Sequence, residues 1–361
     1  MIKMKNTYAI ILAGGIGSRF WPMSREHRPK QFLDILGTGK TLIQQAFERY
    51  SDLVGDENVY IITNESYSDL VLGQLPQISQ NQILGEPFGK NTAACVAYAA
   101  YKISEFDEDS VLIIAPSDHL ILDTKEFNLK IHQAQKFALK NEALITLGIK
   151  PHRPDTGYGY IQFNQEEVDN GVNKVITFTE KPPLEIAEQF LSSGDFLWNS
   201  GMFIWRSKVI LESLKKHLPE MFLNFAEGIG AYNTNIEAEH IAKIYSHIAS
   251  TSVDNGILEK ADNVYVLPSD FGWSDLGTWK TVHELVEEKD KNTIHNAELY
   301  AIESENNLVV TESEKLVVLQ GLNDYFVIDT EDALLICKSD QEQEIKKISS
   351  AVRKKYKKKF S

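Results

Sequence analysis

The chain has 361 residues, 43% of them hydrophobic and 24% charged, a balance that suits a folded protein with a sizeable core and excludes wholesale disorder. Its formal net charge of −14 argues against a general nucleic-acid binder, whose affinity comes from neutralising phosphates. No apolar run approaches the roughly 20 residues that span a bilayer, and no cleavable leader is read at the start, so a cytoplasmic enzyme with no membrane partner is expected. Cys95 and Cys337 are the two cysteines; they have neither zinc spacing nor a disulfide framework.

Short β-branched runs alternate with helical patterns over the first 290 or so residues, the signature of βαβ units around a largely parallel sheet. The runs 8–12, 59–63 and 111–115 read as strands; 41–53 and 91–103 read as helices, the second opening on the cap-type residues Asn91 and Thr92. Parallel sheets bind ligands beyond the carboxyl ends of their strands. Two of these strands run directly into unusual loops, one beginning at Ala13 and one at Pro116, which are therefore expected on the same edge of the sheet.

Beyond Asn292 the pattern becomes all-β: apolar triplets at 308–310, 316–318, 326–328 and 334–336 suit either a meander or a small solenoid. The expected division is a catalytic domain over 1–291 and a small β domain with a basic terminal helix over 292–361. From Ile345 to Ser361 there are eight basic residues and no acid, which leaves −22 on the remainder. The plain reading of that run is a solvated helix or a tether to the acidic body.

The segment Leu12–Phe32, LAGGIGSRFWPMSREHRPKQF, carries the most chemistry. Gly14, Gly15 and Gly17 let backbone N–H groups crowd around an anion, and Arg19 and Lys30 add two charges suited to a polyphosphate. The dinucleotide fingerprint fails because position 20 is Phe, and a P-loop ending in Gly39-Lys40-Thr41 fails because its upstream glycine position is Asp34.

This loop closely resembles the signature of sugar-phosphate nucleotidylyltransferases, in the form typical of the mannose-1-phosphate guanylyltransferase branch. Six further motifs follow in the order that family has them: EPFGKNTA at 86–93, PSDH at 116–119, TGYGYI at 156–161, EKP at 180–182, WNSGMF at 198–203 and GWSDLGTW at 272–279. The resemblance implies an α/β fold of the Rossmann-like nucleotide-diphospho-sugar transferase type with a mostly parallel central sheet. It also implies that the small all-β domain is a left-handed β-helix. The implied reaction transfers the guanylyl group of GTP to α-D-mannose 1-phosphate, giving GDP-mannose and pyrophosphate with Mg²⁺, in a homodimer. Many bacterial relatives append an isomerase domain; none is expected here, and no isomerase activity.

Residue by residue, the resemblance makes Arg19, Lys30, Asp118 and Lys181 the catalytic group, with Arg19 and Lys30 on the triphosphate and Lys181 on the sugar phosphate. It places Leu12, Ala13, Gly14, Gly15, Gly17, Ser18, Glu86, Pro87, Asn91, Thr92 and Ser117 on the nucleotide. Gly157, Glu180, Asn199 and Asp254 fall on the sugar side, and Asp118 with Asp275 on one Mg²⁺, whose usual shell is one or two carboxylates plus substrate phosphate. Glu86 is the candidate guanine reader, because a carboxylate can accept from N1–H and N2–H₂ together. Asn255 stands where the family usually has an aromatic residue, which leaves room for another sugar such as a heptose phosphate. The other alternative is a catalytically silent subunit that binds a nucleotide sugar.

Overall fold

A computed structural model describes residues 3–285 and 292–360. The expected domain boundary falls against 286–291, and Met1, Ile2 and Ser361 likewise lie outside the described residues. The chain forms two compact units, each assembled from separated stretches. The first comprises 1–14, 47–117 and 121–273; the second comprises 15–46, 118–120 and 274–361.

The first unit is built on a nine-stranded sheet. In chain order its strands are β1 (Thr7–Leu12), β2 (Val59–Asn64), β3 (Ile83–Glu86), β4 (Val111–Pro116), β5 (Leu144–Ile149), β6 (Tyr160–Asp169), β7 (Val172–Thr179), β8 (Phe196–Arg206) and β9 (Val264–Ser269). Their spatial order is β3-β2-β1-β4-β8-β5-β9-β7-β6. The first four run parallel, as the βαβ pattern predicts, and their β-branched residues are buried on both faces; in β4 Val111 to Ala115 are all inaccessible. Leu12 pairs with Pro116, so the two unusual loops do leave the same edge. The rest of the sheet is mixed: β8 pairs antiparallel with both β4 and β5, whereas β5 and β9 pair in parallel.

The helix Thr92–Ser104 begins where the cap residues place it: Asn91 Oδ1 accepts from Thr92 N at 2.8 Å. Its Ala-rich face lies in the core with Trp205, Phe225 and Tyr245. Helix Leu42–Val54 also forms within a residue of its expected span.

The second unit contains a parallel β-helix stack. Strand β10 (Thr293–Ile302) pairs in parallel with β11 (Leu308–Gln320), and β11 with β12 (Tyr325–Asp329), while β13 (Leu334–Lys338) closes the sheet antiparallel to β12. The solenoid alternative is thus the one adopted. The triplet rhythm misled in one respect: 308–310 and 316–318 lie on the single strand β11. Polar residues 311–314 do not end that strand, because Asn296 of β10 holds Thr311 across the irregularity by side-chain and backbone bonds. The turns are held by asparagines at matching places. Buried Asn307 donates to Asn292 Oδ1 at 2.9 Å, 15 positions back, and accepts from Tyr325 N at 2.9 Å, 18 positions on. Each coil thereby satisfies the backbone groups of the next, which a bare turn in a core could not do.

Helix Glu344–Tyr356 carries the basic run. It is more than a tether. Ile345 is inaccessible, and Ile348 and Val352 pack on the same core as Phe20, Trp279 and Phe326. Trp21 Nε1 donates to Phe360 O at 2.9 Å, and Arg353 pairs with Glu26. Most of its cations remain exposed, as a charge run predicts.

Candidate functional site

In the second unit one cavity of about 290 Å³ is lined by Gly17, Ser18, Arg19, Lys30, Asp118 and Asp275, with His119, Gly277 and Lys346. Five of the residues singled out for phosphate or metal therefore meet, although Arg19 and Asp275 are far apart in sequence. The loop closes through Gly17. It has φ +74°, and a Cβ there would overlap the Cβ of Lys30, so glycine is needed for both backbone shape and space. Lys30 N donates to Ile16 O at 3.1 Å, folding the second half of the loop back on the first.

Lys30 is buried, its ammonium 5.1 Å from the Phe20 ring centroid. Nζ donates to Asp118 Oδ2 at 2.9 Å and to Asp275 O at 3.0 Å. Burial pushes the Asp118 carboxyl up, but Lys30, with help from His119, more than offsets it and holds the group below its ordinary value. The carboxylate is thus kept ionised. Asp275 Oδ1 accepts from Gly277 N at 3.0 Å, which fixes its side chain. Among the described residues no ion-pair partner faces Arg19, which is exposed.

The first unit holds two further groups of expected residues. In one, Leu12 ends β1 and Ala13 follows it, Ser117 N donates to Leu12 O at 3.0 Å, and a Cβ on Gly14 would lie 3.6 Å from Glu86 Oε2. Glu86 is buried at the end of β3, with Oε1 accepting from Tyr245 Oη at 3.0 Å. Burial raises its carboxyl, and bonds from Tyr245 and Cys95 pull it partly back. Pro87 follows it, and Asn91 and Thr92 cap the next helix; Thr92 Oγ1 also accepts from Val253 N at 2.9 Å.

In the other group, Asn199 Nδ2 donates to Asp254 Oδ1 at 3.0 Å. Asn199 sits at an irregularity in β8, where the register against β5 jumps from the pair Phe203–Thr146 to Asn199–Gly148, and Thr146 Oγ1 donates to Asn199 Oδ1 at 3.0 Å. Asp254 opens a single π-helical turn, Asp254–Leu258, and its carboxyl is pushed up to about 6 by burial and then by Glu180. Lys181, at φ +47°, pairs with Glu180 and is otherwise exposed. Exposed Asn255 exchanges hydrogen bonds with Ser252.

Gly157 N donates to Asp155 Oδ1 at 2.8 Å. The closest approach in this motif falls at Gly159, where a Cβ would stand 2.5 Å from Glu180 Oε2 and 3.3 Å from Asn199 Cβ. Sequence reasoning missed Gly159, Tyr245 and Lys346. Only Gly159 left a local signal, as the second glycine of its motif.

Comparison with known proteins identifies the family and the fold. Residues 8–292 match the nucleotidyl transferase family, and 298–351 match the MannoseP isomerase/GMP-like beta-helix domain. A mannose-1-phosphate guanylyltransferase of Salmonella muenchen is 34% identical over 350 residues, 96% of this chain and 73% of that protein. Its Escherichia coli namesake is 34% identical over 94% of this chain and 72% of its own length. A crystal structure described as mannose-1-phosphate geranyltransferase from Thermus thermophilus superposes with a TM-score of 0.86 at 27% identity, covering 96% of this chain and 99% of that one. The chain belongs to the mannose-1-phosphate guanylyltransferase family of nucleotidyl transferases.

Proposed function

We propose that the protein transfers the guanylyl group of GTP to α-D-mannose 1-phosphate, releasing pyrophosphate. The observation that carries this reading is the gathering of Arg19, Lys30, Asp118 and Asp275 around one cavity. An oxygen of the sugar phosphate forms a bond to the α-phosphorus while the bond from that phosphorus to the β-phosphate oxygen breaks, and its electron pair leaves with pyrophosphate. No protein nucleophile is needed. What the reaction demands is neutralisation and alignment of two anions, which fixed cations supply.

Arg19 and Lys30 hold the triphosphate and stabilise the charge that builds on the departing pyrophosphate. The donor set of Asp118 and Asp275 suits Mg²⁺. Both residues offer oxygen only, and the Lys30 ammonium already draws Asp118 Oδ2 and Asp275 O to one cation. When bound, Mg²⁺ would neutralise phosphate oxygens and polarise them. Glu86 reads guanine with both oxygens of its carboxylate, Oε1 keeping its bond from Tyr245; Asn199, Asp254 and Glu180 meet the sugar hydroxyls, and Lys181 its phosphate.

Among the described residues no helix is long and apolar enough to cross a membrane. The reading places the enzyme in the cytoplasm, where its charged substrates are made. It also takes the enzyme as a homodimer, supported by the exposed Tyr300, Leu316 and Val318 on the β-helix.

The test is pyrophosphate release from GTP, ATP, UTP and dTTP, each with mannose-, glucose- or heptose-1-phosphate, in Mg²⁺. Turnover is expected with GTP and mannose 1-phosphate. Turnover only with another sugar would overturn the sugar assignment, and silence from folded protein would overturn the reaction.

A further inference from the structure

Lys346 lies in the first turn of helix Glu344–Tyr356, the end of a helix where its dipole disfavours a cation. Its neighbour Lys347 is answered by Glu344, at 2.7 Å. Lys346 has no ion-pair partner among the described residues, and its side chain is exposed. The acid on the other side, Glu342, accepts from Lys280 N at 3.2 Å. A cation placed against the dipole and left without a carboxylate breaks a local rule, and such breaks collect where a ligand makes up the difference.

The ligand is indicated by where the residue lies. Lys346 lines the cavity of Arg19, Lys30, Asp118 and Asp275. It is held there by its own helix, since the preceding Ile345 is inaccessible and Ile348 and Val352 pack on the core that includes Phe20. Of the three cations in the cavity, Lys30 is committed to Asp118, whereas Arg19 and Lys346 face the space without a carboxylate among the described residues. Two uncommitted cations lining one cavity suit a diphosphate, with its two charged groups, better than a single phosphate.

We propose that Lys346 is a phosphate-binding residue of this cavity and grips the β- and γ-phosphates that leave together as pyrophosphate. The inference rests on the reaction proposed above. It makes the C-terminal helix part of the nucleotide site, and the basic run there divides into one ligand-binding residue and several solvated ones.

Inorganic pyrophosphate, titrated calorimetrically into the full chain with and without Mg²⁺, is the probe. Lys346→Met is expected to weaken binding about ten-fold, the scale of one charge-assisted contact. Lys346→Arg should restore most of it, and the charge-matched Lys354→Met should bind as the unaltered protein does. Turnover should show a raised KM for GTP and an unchanged KM for mannose 1-phosphate. Acetylation footprinting of the unaltered protein needs no variant to fold: pyrophosphate should protect Lys346 and leave Lys354 reactive. Equal binding by Lys346→Met, equal losses at 346 and 354, or an unprotected Lys346 would each overturn the inference while leaving guanylyl transfer intact. Lys346-dependent pyrophosphate binding without turnover on any sugar phosphate would instead keep the cation and overturn the reaction.

Discussion

Asp118 in the second unit and Asp254 in the first are both half-buried carboxylates with a nitrogen donor about 3 Å away, yet they end on opposite sides of the ordinary aspartate range. Burial pushes both upward. Asp118 meets the ammonium of Lys30 and comes down; Asp254 meets the neutral amide of Asn199 and the like charge of Glu180, and rises to about 6. The sign of the nearest full charge, not the depth of burial, decides which carboxylate stays ionised. Each outcome suits the task proposed for it, since an ionised group can hold a metal among phosphates and a readily protonated one can exchange hydrogen bonds with sugar hydroxyls.

The strongest way to break the comparison is to remove the cation. Lys30→Met should lower turnover on the order of 10²–10³, as for loss of a donor aimed at developing charge. It should also move the Asp118 carboxyl upward, so that activity falls at a higher pH on the acid side than in the unaltered enzyme. A pH–rate profile that keeps its acid limb would show that Lys30 does not set the Asp118 charge. Gly17→Ala attacks the same pair through the backbone: the added methyl runs into Lys30 Cβ from a left-handed position. A loss of about 1–3 kcal/mol in denaturant unfolding is expected, with a matching fall in turnover. Unchanged stability would mean that the loop relaxes freely.

On the other side, Glu86→Gln should narrow the preference for GTP over ATP by about ten-fold or more, since an amide cannot accept from both guanine donors. A variant that keeps its preference would remove Glu86 as the base reader. The smallest effect is expected at Asp254. Its folded value, about 6, lies above the value of an unfolded chain, so the folded state holds the extra proton between roughly pH 4 and 6. Its contribution to stability is full below that window and is lost as pH rises through it. Asp254→Asn should remove this decline, so that the variant gains on the unaltered protein from pH 4 to 6 in urea melts. Parallel curves would show that Asp254 titrates normally.

Much of the fold could be read from residues in sequence because its causes are local. The buried parallel strands are continuous apolar runs, and Asn91 caps its helix with its own side chain. The paired loops follow from βαβ winding alone. The β-helix was harder. Its coils are matched through Asn292 and Asn307, and no apolar triplet reports a side-chain bond that links one turn to the next. At the site, the glycine loop announced its chemistry through composition. Asp118 and Asp275 were visible only through family motifs, because nothing local distinguishes an aspartate suited to a metal from a turn residue. Lys346 stayed hidden within a run of lysines that look alike until one packs beside the phosphate loop.

The bond between the indole of Trp21 and the carbonyl of Phe360 joins residues 339 positions apart. During synthesis, the stretch that begins at Gly15 must therefore wait for a residue translated 339 positions after Trp21, while the sheet strands up to Ser269 can already pair. A nascent chain would hold this glycine-rich loop unfinished until Phe360 is made. Ligand protection of that loop on stalled chains should appear only once helix Glu344–Tyr356 and Phe360 have emerged.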